Sequence, residues 1–232
     1  MEIKNKVAIV TGASEGIGKA IAEALYSQGA KLIVAARSDE KIQAIVKKLP
    51  GSQGVHVDMR QEKDVQYLIE MAMKTFGRID LLVNNAGQGL YGSLETINLN
   101  DYQGLFELNV QGPLRAMQLV IPQMRKQGGG MIVNVSSMVS KNAYPFLGAY
   151  ASTKYALNAL SLTARAELAK DHIVVSLLHP RMTATRFGEN SLGSRPDFTS
   201  RGGTPLPVDT PEMVAQKLLG LVASEAAEAT MP

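Results

Sequence analysis

Short runs of β-branched and aliphatic residues alternate with longer amphipathic stretches from one end of this chain to the other. The apolar runs fall at 7–10, 32–35, 54–57, 81–83, 131–135 and 173–178. Each is too short for a core helix and largely free of polar residues, as expected of a strand covered on both faces in a parallel sheet. Between them lie segments with helical periodicity, at 16–28, 39–49, 61–76, 101–126, 149–169 and 211–223. In the first of these Ile17, Ile21, Ala24 and Leu25 share a face, and Gly29 follows as a C-terminal stop. Strand–helix–strand units of this kind join parallel strands by right-handed crossovers. The expected fold is α/β, a Rossmann-type doubly wound parallel sheet flanked by helices on both faces. Residues 1–232 read as a single domain without repeats or linkers. One long segment, 181–208, has no periodicity and is rich in glycine and proline. Irregular segments of that length are commonly functional, and this one reads as a lid over a substrate.

Composition narrows the chemistry. The absence of cysteine removes disulfides, thiolate metal sites and thiol nucleophiles together. His56, His172 and His179 are scattered, so no metal is expected. The net charge is +3, with lysine and arginine spread along the chain, so no nucleic-acid partner is expected. The first residues lack the apolar core of a secretion signal, and no apolar run reaches membrane-spanning length. No membrane partner is therefore expected, and the cytoplasm is the default location.

Residues 11–18, Thr-Gly-Ala-Ser-Glu-Gly-Ile-Gly, follow the first strand and open the first helix. Gly12, Gly16 and Gly18 let the turn tighten and a pyrophosphate approach the main chain, with Ser14, Glu15 and Ile17 beside it. The helix N-terminus adds N–H groups and the positive end of its dipole. The glycine spacing differs from G-x-G-x-x-G, but the strand–turn–helix setting points to a nucleotide. The end of the second strand should choose which one. An acid there would hold a ribose 2′-OH, whereas this chain reads Ala35-Ala36-Arg37-Ser38. The Arg37 guanidinium suits a 2′-phosphate, so the expected cofactor is NADP(H). Glu15 would oppose that phosphate, and Asp39 and Glu40 read as first-turn acids of the next helix.

Tyr150 and Lys154 are four residues apart on the helix expected at 149–169 and so share a face. An ammonium near a phenol favours the phenolate and lowers the tyrosine pKa from about 10. Such a tyrosine can exchange a proton with a reacting oxygen.

The glycine-rich turn, Asn84-Asn85-Ala86-Gly87, and Ser137 thirteen residues before Tyr150…Lys154 occur in an order that resembles the short-chain dehydrogenase/reductase family. The resemblance covers roughly residues 6–185, and Asn109 in Leu108-Asn109-Val110 matches the fourth member of the family's catalytic tetrad. It implies that Ser137 hydrogen-bonds a substrate carbonyl and that Tyr150 is the general acid. It further implies that Lys154 anchors the nicotinamide ribose and tunes Tyr150, and that Asn109 holds a water in the proton relay. Asp58, followed by Met59, would meet the adenine. Asn85, Ala86 and Gly87 would floor the cofactor cleft, and Pro180, Thr183 and Thr185 would reach the nicotinamide carboxamide.

Two features depart from the family pattern. Arg181 stands where a glycine usually follows Pro180. Residues 225–232 show neither the last strand nor the Asp-Gly-Gly ending of tetrameric members. A homo-oligomer is expected, dimer or tetramer, with the helices at 101–126 and 149–169 as dimer faces. The residues thus read as an NADPH-dependent oxidoreductase that reduces a ketone or aldehyde to an alcohol, reversibly. The alternative is a non-catalytic NADP-binding redox sensor, which would normally have lost Tyr150 or Lys154. The expected partner is a small carbonyl or alcohol, touched by Met138, Tyr144 and Phe187, with Tyr91, Val139 and Leu147 as further candidates. Arginines at 181, 186, 195 and 201 leave an anionic substrate open.

Overall fold

The computed structural model describes residues 1–194 and 207–231. Seven strands form one parallel sheet in the order β3-β2-β1-β4-β5-β6-β7. They are β1 (Val7–Thr11), β2 (Lys31–Ala36), β3 (Gln53–His56), β4 (Leu81–Asn84), β5 (Gly130–Val135), β6 (Ile173–His179) and β7 (Glu228–Thr230). The helices are α1 (Gly16–Ser27), α2 (Asp39–Lys48), α3 (Glu62–Phe76), α4 (Leu99–Phe106), α5 (Gly112–Lys126), α6 (Gly148–Leu168) and α7 (Pro211–Ser224).

Alternate residues of each central strand serve opposite layers. Ala8, Val10, Leu32, Val34, Leu81 and Val83 pack with Ile21 and Leu25 of α1 and with Leu218 and Leu221 of α7. Ile9, Ile33, Leu82 and Ile132 face the other way, onto Val65 and Leu68 of α3 and Met117 and Val120 of α5. Both faces are dry, so the strands show no polar alternation. In-register pairing of β1 with β2 (Ile9↔Ile33) and with β4 (Ile9↔Leu82) brings the strands' carboxyl ends level. The loops that follow them therefore meet on one edge of the sheet.

Two elements differ from expectation. The segment expected as one helix at 101–126 is α4, a π-helical turn at Glu107–Gln111, and α5. Pro113 has no N–H to give, and in a regular helix its ring would collide with the carbonyl four residues back, that of Asn109. The widened turn relieves that collision. At the other end, Glu228–Thr230 forms a strand where none is expected, parallel to β6. Three residues give no periodicity, and Glu and Ala are weak strand formers. The strand is held by the open edge of β6 and by Glu228, whose carboxylate accepts from Lys141 Nζ and lies 2.9 Å from His179 Nε2.

Candidate active site

The strand order reverses between β1 and β4, so the loops beyond their carboxyl ends part and leave a crevice. Residues 11–18 form one wall of it. Gly12 and Gly16 take positive φ, 64° and 54°. A Cβ on Gly12 would lie 2.8 Å from Ala86 Cα, and one on Gly18 would lie 2.3 Å from Gly12 O. Any larger residue at these positions would force the crevice apart. Thr11 Oγ1 accepts from the main-chain N–H groups of Asn85 (3.0 Å) and Ala86 (3.1 Å), and Asn85 Nδ2 donates to Thr11 O (2.9 Å). Asn85 thus uses its amide to bind the two walls together, and with Ala86 and Gly87 it shapes the floor. The side chain of Glu15, at the head of α1, does not cap the helix, so its amide end is left to an anion. Ser14 and Ile17 stand half-buried in the same turn.

The Glu15 carboxylate turns aside. It accepts from Lys41 Nζ and from Asn190 Nδ2 (2.8 Å), and Lys41 above all holds its pKa below the usual range. Arg37, at the end of β2, is exposed and has no hydrogen bond or ion pair among the described residues. Asp39 and Glu40 lie in the first turn of α2, as expected. Asp58 Oδ1 accepts the main-chain N–H of Arg60 (3.0 Å). Met59 buries its side chain in the core with residues of α3 and α5.

The segment after β6 crosses the crevice. A Cβ on Gly16 would lie 3.1 Å from Thr185 Cγ2. Gln88 Nε2 donates to Asn190 O (2.8 Å), and Leu192 N donates to Gly89 O (2.9 Å). At its root, Pro180 O accepts from Met138 N (2.9 Å) and Thr183 Oγ1 donates to Arg181 O (3.0 Å).

Ser137 follows β5, and its Oγ accepts from Val139 N (3.3 Å). Tyr150, only 8% exposed near the start of α6, lies close enough to Ser137 for that hydroxyl to act on its phenol. One turn on, Lys154 Nζ donates to Val135 O (2.9 Å) and lies 5.8 Å from the centroid of the Tyr150 ring. Asn109 is fully buried in the π-helical turn. Its Nδ2 donates to Gln88 O (2.9 Å) and Thr153 Oγ1 (3.1 Å), and its Oδ1 accepts from Gln88 N (3.0 Å). A Cβ on Gly87 would lie 3.2 Å from Asn109 Oδ1 and 3.6 Å from Lys154 Nζ, so a residue without one lets β4's loop, the π turn and α6 converge.

Burial pushes the Tyr150 phenol up, and the Ser137 hydroxyl only partly opposes it. Burial also pushes the Lys154 ammonium down, to about 8. This differs from the lowered phenol expected from the spacing. Nζ donates to a main-chain carbonyl, and desolvation by burial is the largest influence on the phenol. The lowered Lys154 pKa has a consequence for stability. Between about 8 and the ordinary value of 10.5 the unfolded chain holds this proton and the folded chain does not, so stability should rise with pH in that window. Thermal unfolding from pH 8 to about 10 should show a steeper rise for wild type than for Lys154→Met; equal slopes would mean that Lys154 titrates normally.

A family model for short chain dehydrogenases matches residues 6–194. The chain belongs to the short-chain dehydrogenase family. An uncharacterized oxidoreductase of Staphylococcus epidermidis is 31% identical over 191 residues, 82% of this chain and 83% of the other. A short-chain dehydrogenase/reductase from Burkholderia phymatum, solved in complex with NAD, superposes with a TM-score of 0.89 at 27% identity, over 99% of this chain and 90% of that one. An alcohol dehydrogenase from the archaeon Thermococcus sibiricus, complexed with 5-hydroxy-NADP, gives 0.84 at 28% identity, over 98% and 96%.

In this short-chain dehydrogenase Arg181 does not crowd the crevice. Its Nε donates to Asp209 Oδ2 (2.8 Å) and its Nη2 to Asp209 Oδ1 (2.7 Å), and Asp209 is 1% exposed. Ala184 N donates to Asp209 O (2.8 Å), so the pair ties together the two ends of the irregular segment. The middle of the expected lid, 195–206 with Arg195 and Arg201, lies outside the described residues. Of the candidate substrate residues, Phe187 packs on Tyr150 with ring centroids 5.5 Å apart. Val139 and Leu147 pack on the apolar cluster that includes Tyr150, and Tyr91 acts on the Tyr150 phenol. Met138 is half-buried and Tyr144 exposed, and neither belongs to that cluster. Gln88, Asn190, Lys41 and Asp209 shape the site without having stood out in the sequence. Gln88 alone had a signal, its place directly after Asn-Asn-Ala-Gly.

Proposed function

We propose that this short-chain dehydrogenase is an NADPH-dependent carbonyl reductase, cytoplasmic and homo-oligomeric (dimer or tetramer), that reversibly reduces a small ketone or aldehyde. One observation carries the reading: Ser137, Tyr150 and Lys154 converge at the end of β5, beside a glycine cradle that a Cβ at Gly12 or Gly18 would fill. The cradle and the uncapped head of α1 fit a dinucleotide pyrophosphate. When bound, the dinucleotide supplies the hydride.

The chain's own residues supply the rest. Ser137 Oγ, which accepts from the Val139 N–H, would donate to the substrate oxygen. Tyr150, kept protonated by burial, gives its proton to that oxygen as negative charge develops on it. Lys154, charged below about pH 8, favours the phenolate left behind and offers donors to ribose hydroxyls. Asn109, held in place by three side-chain hydrogen bonds, would hold a relay water. Arg37, without a competing partner among the described residues, is the group for a 2′-phosphate.

The test is NADPH consumption with a panel of ketones and aldehydes, and NADP⁺ reduction with secondary alcohols. Turnover on some of them is the expected result. Stoichiometric NADPH binding with no turnover on any would favour the redox-sensor alternative.

A further inference from the structure

We infer that the substrate carries an uncharged, apolar and preferably flat group next to its carbonyl, seated against Phe187. This rests on the carbonyl-reductase reading and names what that site would accept.

Phe187 stands beside the phenol proposed to deliver the proton. Its ring is tilted 53° to that of Tyr150, with centroids 5.5 Å apart, and the residue is 36% exposed. Part of the ring is therefore open to a ligand. The ring is also fixed in place. Phe187 N donates to Thr185 Oγ1 (3.2 Å), and Phe187 O accepts from Ser191 Oγ (2.8 Å). A Cβ on Gly89 would come within 3.1 Å of Phe187 Cε1, so the missing side chain there lets the ring settle against the loop after β4. Around the same phenol, Leu90 and Ala149 are buried, and Val139, Leu147 and Leu192 pack against them. Three loops, those after β4, β5 and β6, thus contribute apolar side chains to the cluster that includes Tyr150.

Among the described residues, the arginines of the segment after β6 are paired with acids. Arg181 is held by Asp209 through two bonds, and Arg186 Nε donates to Glu189 Oε2 (3.0 Å). Among the described residues, no arginine, histidine or carboxylate acts on the Tyr150 phenol. A substrate carboxylate would leave water to meet mostly hydrocarbon, with Lys154 Nζ already bonded to Val135 O, and a poorly paired charge placed there is costly. An aryl or alkyl group gains from the same surroundings.

Matched substrates test this. Steady-state kinetics with NADPH would compare an aryl methyl ketone, the same ketone with a ring carboxylate, and a short dialkyl ketone, using wild type and Phe187→Ala. The neutral aryl ketone should exceed its carboxylate by about 10- to 100-fold in kcat/KM. Phe187→Ala should lower the aryl ketone's kcat/KM by roughly 10-fold, mainly through KM, and change the short ketone much less. A carboxylate turned over as well as its neutral parent, or an unchanged aryl-to-alkyl ratio in Phe187→Ala, would overturn the substrate class and leave the carbonyl-reductase reading standing. Bound NADPH with none of the three reduced would count against that reading, and this inference would fall with it.

Discussion

Tyr150→Phe should leave a folded protein that binds NADPH and has lost on the order of 10²–10⁴ in kcat, the usual contribution of a positioned general acid. The change keeps the ring that packs against Leu90, Leu105 and Ala149, so the apolar cluster survives. It removes one hydroxyl, and losing the interactions of one hydroxyl costs on the order of 1 kcal/mol net. That loss is small beside the stability of a domain this size. Circular dichroism and NADPH titration would establish that fold and cofactor site are intact before turnover is compared. A folded variant that kept more than about a tenth of wild-type kcat would show that Tyr150 is not the acid.

The second large effect concerns Arg37. A guanidinium against a 2′-phosphate is a charge-assisted contact of roughly 1.5–3 kcal/mol, or about 10- to 150-fold in affinity. Arg37→Ala should therefore raise the Kd for NADPH by that factor and leave the Kd for NADH nearly unchanged. Two structural facts sharpen the expectation. Arg37 has no other partner among the described residues, so binding a phosphate breaks no existing ion pair. Glu15, which by sequence opposes a phosphate, is engaged by Lys41 and Asn190, so its repulsion is muted. Added salt should weaken NADPH binding more than NADH binding, because the contact is between partly exposed charges. Isothermal titration of both cofactors against both proteins decides it. Equal affinities in wild type, or equal losses in the variant, would mean that Arg37 faces water. Solved relatives of this fold hold NAD in one case and 5-hydroxy-NADP in another, so local side chains and not the architecture must make the choice.

Much of the scaffold is legible in the order of residues because its determinants are local. Apolar runs of strand length, separated by helical periods, dictate a covered parallel sheet, and the structure is that sheet. Glycines at 12, 16 and 18 announce a tight turn between β1 and α1, and their absent Cβ atoms are what permit the close approach of Ala86 and Thr185. The spacing of Tyr150 and Lys154 places both on one face of α6, and Ser137 arrives beside Tyr150 from the end of β5.

Other features depend on groups far apart in the chain, for which no local pattern exists. Glu15 meets Lys41 26 residues on, Arg181 meets Asp209 28 residues on, and Gln88 meets Asn190 across 102 residues. Each pairing reverses or resolves what the residue alone implies: an acid that should repel phosphate is paired with a lysine, and a bulky arginine in a glycine position becomes a clasp. The direction of the Tyr150 pKa is of the same kind. The sequence places an ammonium nearby, but the depth of burial and the carbonyl of Val135, which takes the Lys154 donor, were set only by packing. β7 exists because β6 offers an edge and His179 and Lys141 hold Glu228, none of which the three residues themselves encode. Periodicity and spacing determine the sheet, the turn and the shared helical face, since those follow from backbone geometry within a few residues. Protonation, charge pairing and the free face of Phe187 were decided by tertiary structure, because desolvation and contact act through space and not along the chain.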